Sequence, residues 1–321
     1  MKKTSHILLA LLLFAPVLSL HAAVTAVDCS KKTLTSALAK LDKSVPNTLN
    51  ISGNCAEDVV VSGFSDLTLI GTVGASITAT GAANNPPTGI ALLVNEKSRI
   101  TVQTLTLNGG NQGAICTVRS NCVFRNVTIQ GGGGGIYAQD QSGVDILGTS
   151  VIRDSRGIGL GVYGASTVNI RPEPWVTLEE AGPVISGHAY VECDPLNPAD
   201  CWNAGIGAQV QDGSFLRADN STFSGNGVGI VVQRNAMIKI YSSDQAGIVG
   251  GVINNVNEGI SVRHLSLAAS IGRISGNGGA GIKVGPLGVF TNQGVTFSGN
   301  NPDVVCTHVT AISNPPSWCG H

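Results

Sequence analysis

The chain has 321 residues, of which 42 are glycine, 12% are charged and 42% are apolar. That apolar share excludes a disordered segment. A formal net charge of −1 gives no electrostatic case for nucleic acid, and eight cysteines point to an oxidising compartment.

In chain order, Lys2 and Lys3 precede an apolar run, Ile7–Leu20, with Ala22 and Ala23 behind it. This reads as a secretion signal over residues 1–23, and the run is too short for a membrane anchor. No later segment is long and apolar enough to span a membrane. Removing the signal leaves 17 of the 19 Lys and Arg against 20 Asp and Glu. Thr33–Asp42 is the one helical pattern: Leu34, Leu38 and Leu41 share a face and Thr33 is placed to N-cap it. A capping helix here would cover a sheet edge that otherwise invites aggregation. Short apolar runs at 49–53, 59–61, 67–70 and 76–78 then read as strands.

From Gly89 to Phe297 one pattern returns eight times. Its anchor is a small residue, then Ile, then an alternating apolar residue. The eight anchors are Ile90, Ile115, Ile136, Ile158, Ile206, Ile230, Ile260 and Ile282. Their separations are 25, 21, 22, 48, 24, 30 and 22, a base period of roughly 22–24 residues, as in stacked solenoids. Each period holds two more strand-like runs, such as Ile100/Val102 then Leu105/Leu107, and Val144/Ile146 then Val151/Ile152. Three short strands per repeat fit a coil that stacks parallel on its predecessor, with inward side chains in ladders about 4.8 Å apart. Ser-Gly-Asn at 224–226, 275–277 and 298–300 marks a recurrent tight corner.

These features resemble the right-handed parallel β-helix of the pectate-lyase-like superfamily, over about residues 46–300. The resemblance implies an all-β solenoid of about nine or ten coils, read as one domain over 24–321. It implies no single activity, because lyases, hydrolases, esterases, tailspikes and adhesins share this architecture.

The cysteines fall into four local pairs: Cys29/Cys55, Cys116/Cys122, Cys193/Cys201 and Cys306/Cys319. A stacked coil brings near neighbours together, which favours this set among 105 pairings. The last pair would close a C-terminal cap over 301–321. The 48-residue spacing carries two insertions, 171–183 and 189–203. The second contains Cys193, Cys201 and Trp202, and reads as a wall beside a groove.

Gly159–Gly164 matches Gly-x-Gly-x-x-Gly, but a strand pattern follows where a dinucleotide site needs a helix. No Gly-x-Ser-x-Gly elbow is present. Polygalacturonases of the resembling fold carry paired aspartates and a Gly-His-Gly just before the anchor strand; neither motif occurs here. Counting three residues past each anchor Ile gives Leu93, Val118, Gln139, Gly161, Gln209, Gln233, Arg263 and Gly285. The next position includes Arg119, Asp140, Val162, Val210, Arg234 and His264. This predicts an outward row for a polysaccharide or cell-surface glycan. Tyr137, Gln139, Gln209, Gln233 and Trp202 would bind sugar, Arg234 and Arg263 would meet acidic charge, and His264 or Asp140 would carry a proton. The resemblance allows calcium on aspartates, but only Asp140 and Asp212 lie near that row; no cofactor is expected. The sequence thus reads as an exported, polysaccharide-engaging β-helix, lyase- or glycosidase-like if it cleaves. The alternative is a non-catalytic surface or adhesion module.

Overall fold

The computed structural model describes residues 23–84, 87–173, 181–188, 205–242, 250–264 and 266–307. Among the described residues there are two long sheets, one of ten strands and one of 19, and every strand pair in them is parallel. Parallel neighbours require crossovers, and parallel crossovers are right-handed. The result is a right-handed parallel β-helix. Its ten-stranded sheet holds the anchor strands; the larger sheet holds the other two strand types, joined through corners.

The first strand, Ala23–Asp28, pairs with Asn47–Ser52 and was not expected from the sequence. Between them lies a helix of five residues, Leu34–Leu38, shorter than the Thr33–Asp42 pattern. Thr33 accepts the Ser36 N–H, and the Glu57 carboxylate accepts the N–H groups of Leu34 and Thr35, so the helix start is satisfied from two sides. Leu34, Ala37 and Leu38 are buried in the solenoid core.

Register decides which side chains face inward. The first interior row of the ten-stranded sheet runs Val59, Leu92, Ala114, Ile136, Leu160, Ala208, Ile230, Ile260, Ile282, Val304. The second runs two residues later, from Val61 and Val94 through Cys116, Val162 and Val232 to Val284 and Cys306. This corrects the expected phase. Only Ile136, Ile230, Ile260 and Ile282 among the eight anchors face the core. Ile90, Ile158 and Ile206 lie two residues before the interior position, and Ile115 one after. The cause is visible in Gly89-Ile90-Ala91-Leu92, Gly157-Ile158-Gly159-Leu160 and Gly205-Ile206-Gly207-Ala208. Each contains two small–apolar dyads two residues apart, and alternation alone does not separate them.

Two polar ladders close the corners. At one, the backbone N–H groups of Ser120, Ser142 and Ser166 donate to the hydroxyls of Ser142, Ser166 and Ser214, one coil on. At the Ser-Gly-Asn corner, His188, Asn226, Asn255 and Asn277 each donate a backbone N–H to the next Asn Oδ1, ending at Asn300. These side chains are buried, and the ladder pairs backbone groups that would otherwise be orphaned. The ladder also explains anchor glycines: a Cβ on Gly229 would sit 2.8 Å from Asn255 Nδ2, and one on Gly281 would sit 2.9 Å from Asn300 Nδ2.

Cys29–Cys55 and Cys116–Cys122 are disulfides. Cys306 is disulfide-bonded as well, but Cys319, like Cys193 and Cys201, lies outside the described residues. Among the described residues no helix is long and apolar enough to cross a membrane. The disulfides are consistent with an extracellular or periplasmic setting.

Candidate functional site

The outer face of the ten-stranded sheet carries three rows. The first contains Gly134, Ile158, Ile206 and Val228; the second contains Leu93, Ile115, Tyr137, Gly161, Gln209, Val231, Ser261 and Lys283. The third begins where the strands end. Backbone bonds from Thr117, Gln139, Tyr163, Gln211, Gln233, Arg263 and Gly285 to the preceding coil set its order. The phase slip therefore reorders the expected row. Gln139, Gln233 and Arg263 do share it. Gln209 stands one row back beside Tyr137 and Gly161, while Tyr163 and Gln211 take the places given to Gly161 and Gln209. Val162 and Val210, expected on the surface, belong to the buried second interior row.

Beyond the third row each coil turns through left-handed residues, among them Val118, Asp140, Gly164, Asp212, Arg234 and His264. Such backbone is uncommon for non-glycine residues and often marks functional strain. Here it recurs from coil to coil, so it belongs to the corner and singles out no site.

A cavity of about 630 Å³ opens on this face, lined by Tyr137, Tyr163, Gln209, Gln211, Gln233, Arg234, Arg263 and His264, with Gly133, Gly157 and Ile158 at one side. Its polar wall is linked side chain to side chain. Arg263 Nε donates to Gln233 Oε1 (3.0 Å), and Gln233 Nε2 donates to Gln211 Oε1 (2.9 Å). Arg234 Nη2 donates to the same Gln211 oxygen (2.5 Å), and its Nε lies 3.5 Å from Asp212 Oδ1. The Tyr163 hydroxyl donates to Gln209 Oε1 (2.9 Å). Long side chains lose little further freedom on binding when they already hold one another.

Burial lowers the Arg263 pKa while the Glu258 carboxylate opposes that shift. Glu258 is also paired with Lys283 at 2.8 Å. Arg234, Arg263 and Lys283 thus face Asp212 and Glu258, a local excess of positive charge. Burial pushes Tyr137 up to about 12 and Tyr163 higher still, so both phenols stay protonated in ordinary buffers.

The structure brings together Tyr137, Gln209, Gln233, Arg234, Arg263 and His264. Gln139 and Asp140 do not line the cavity. Asp140 accepts from Thr117 Oγ1 at 2.6 Å and stands three coils from Arg234, about 14 Å along the axis. The carboxylate beside Arg234 is that of Asp212. Trp202 lies outside the described residues. Tyr163 and Gln211 were missed; counting three residues on from Leu160 and Ala208, instead of from Ile158 and Ile206, would have found them.

Asp140 and Asp212 sit two coils apart, too far to share a cation. Among the described residues no three His, Cys, Asp or Glu side chains converge on a metal position.

No protein-family model matches the chain, and no curated protein sequence matches it. Several solved structures are similar. A pectin methylesterase in complex with a hexasaccharide aligns at 14% identity and TM-score 0.39, covering 84% of this chain and 80% of its own. Pectin methylesterase PemA from Erwinia chrysanthemi aligns at 14% and TM-score 0.28, covering 69% and 80%. The catalytic domain of a GH87 α-1,3-glucanase with nigerose aligns at 14% and TM-score 0.26, covering 90% and 68%. Likeness at this level assigns no activity.

Proposed function

We propose that this is an exported β-helix that binds an extracellular acidic polysaccharide along the outer face of its ten-stranded sheet. The observation that carries the reading is the linked wall of Arg263, Gln233 and Gln211 on three successive coils, with Arg234 bonded to the same Gln211 oxygen, opening onto a cavity of about 630 Å³. That volume falls within the range of pockets that enclose small ligands, roughly 300–1,000 Å³. A guanidinium can grip a carboxylate with two hydrogen bonds, and amides serve hydroxyls as donor or acceptor. Stacked coils repeat these groups at a spacing that suits a regular chain better than a compact metabolite. If the bound chain is cleaved, Arg263 and Arg234 hold the uronate charge and His264, on the same wall, is the group positioned to move a proton.

A glycan array with the mature protein, followed by the double substitution Gln233→Ala with Arg263→Ala, tests this. Both side chains are outward, so the unfolding midpoint is expected to stay within a few degrees. Binding to acidic glycans retained by the wild type is expected to fall at least about tenfold. Wild-type protein that retains no glycan, or a double variant that binds equally well, would sink the reading and leave a non-catalytic surface module. A reducing-end and unsaturated-product assay on any retained glycan decides whether cleavage follows.

A further inference from the structure

One half of the cavity is unlike the other. Ile158, Ile206 and Val231 point outward from the sheet, yet are 5%, 3% and 3% exposed. They form an apolar cluster of their own, packed with Tyr137, Tyr163 and Val228. The two phenol rings lie down over glycines. A Cβ on Gly134 would meet Tyr137 Cε2 at 2.5 Å, and one on Gly161 would meet Tyr163 Cε2 at 2.5 Å and Tyr137 Cδ1 at 2.7 Å. Neither glycine has positive φ, so backbone conformation does not demand them; ring contact does. The ring centroids are 5.8 Å apart with a tilt of 38°. Both residues line the cavity, so a layer of aromatic surface faces it above a nearly dry floor.

Of the charged lining residues, Arg263 and His264 stand at the opposite end, while Arg234 is two coils from Tyr163 and acts on its phenol. From Tyr137 to Arg263 is four coils, about 19 Å along the axis. Arg156, which precedes Gly157, does not line the cavity.

We infer that the groove is polarised along the solenoid axis: Tyr137 and Tyr163 form a stacking platform for an uncharged sugar ring, while Arg234 and Arg263 take a carboxylate at the far end. The negative face of an aromatic ring matches the apolar, slightly positive C–H face of a pyranose. A uronate ring stacked on Tyr137 would stand three coils, about 14 Å, from Arg234 and farther from Arg263, and would lose hydration from its carboxylate. The ligand class is therefore an acidic oligosaccharide of mixed charge, with neutral residues adjoining a uronate, rather than a uniformly charged polyuronate. This inference rests on the groove being a carbohydrate site.

Isothermal titration with three probes tests it: a xylo-oligosaccharide bearing one glucuronate, the same backbone without the glucuronate, and an all-uronate oligogalacturonate of similar length. The mixed probe is expected to bind wild type at least about tenfold more tightly than either uniform probe. Gly161→Ala, whose methyl lifts both rings, is expected to weaken the mixed probe by about tenfold and to leave the all-uronate probe unchanged. Tyr137→Leu, which keeps the apolar floor covered, is expected to act in the same way and guards against a folding defect in the glycine variant. Equal binding of the mixed and all-uronate probes by wild type, with no effect of either substitution, overturns the polarised groove and leaves the acidic-glycan reading standing. Failure of both uronate-bearing probes to bind wild type defeats that reading, and this inference with it.

Discussion

The two faces of the ten-stranded sheet are made by the same strands and obey different rules. Inside, a row keeps one chemistry over its whole length: Leu92, Ile136, Ile230 and Ile282 each have a coil above and below and no water. A change at one coil is felt by two neighbours, so only apolar residues persist. Outside, the row changes character along the axis, from Thr117 and Gln139 through Tyr163 to Gln211, Gln233 and Arg263. Solvent imposes no uniformity there, so a departure from it, such as the dry tyrosine-covered floor followed by a cationic end, carries information about function. Interior regularity reports the fold; exterior irregularity locates the site.

The largest effect should come from breaking the inner row. Ile230→Asp places an unpaired carboxylate between Ala208 and Ile260 and is expected to cost about 4 kcal/mol, read as a large drop in the thermal unfolding midpoint. An unchanged midpoint would mean that the register is inverted.

His188 is where a buried row departs from its own pattern, standing in line with Asn226, Asn255, Asn277 and Asn300. Its Nδ1 accepts the Ser155 N–H and its own N–H donates to Asn226 Oδ1, both at 3.3 Å. Burial pushes its pKa from 6.5 down to about 4. The folded chain therefore holds this imidazole neutral, while the unfolded chain binds a proton as pH falls below 6.5. Its contribution is fully present above that pH, declines as pH falls towards 4 and is lost below it, on the order of 3 kcal/mol in total. His188→Asn should extend the asparagine ladder by one coil and flatten the stability–pH curve across this window. Denaturant titrations at intervals from pH 7 to about 4 would expose the opposite result, a slope that survives the substitution.

The smallest effect belongs to Ile90→Asp. Ile90 carries the same Gly-Ile signature as Ile230 but lies on the outer face beside Gln112. The expected cost is below about 1 kcal/mol, measured by the same thermal scan. A cost matching that of Ile230→Asp would show that the two faces differ less than their register implies.

The class of fold was legible from the residues alone. A period near 22, three strand types per period and Ser-Gly-Asn corners admit few architectures, because only a stacked parallel coil gives every copy of a repeat the same neighbours. The sequence also marked Gln233 and Arg263 at one phase and Arg234 and His264 at the next, since residues at one phase of a repeat share a face; Tyr137 and Gln209 line the same cavity from the neighbouring row. The interior spacing from Leu92 to Ala114 to Ile136 is 22 and 22, more regular than the Ile-to-Ile spacing, so a cleaner period was already present in the chain. Phase, by contrast, is set by contacts between coils. In Gly157-Ile158-Gly159-Leu160 regular alternation would put both apolar residues on one face, and a break in the ladder at Gly159 separates them. The choice is made between coils: Gly159 must approach the buried His188 ring, whose Nε2 would lie 2.1 Å from any Cβ there, and this sends Leu160 inward and Ile158 out. That contact spans 29 residues of sequence, and from it follow the places of Tyr163 and Gln211 in the groove.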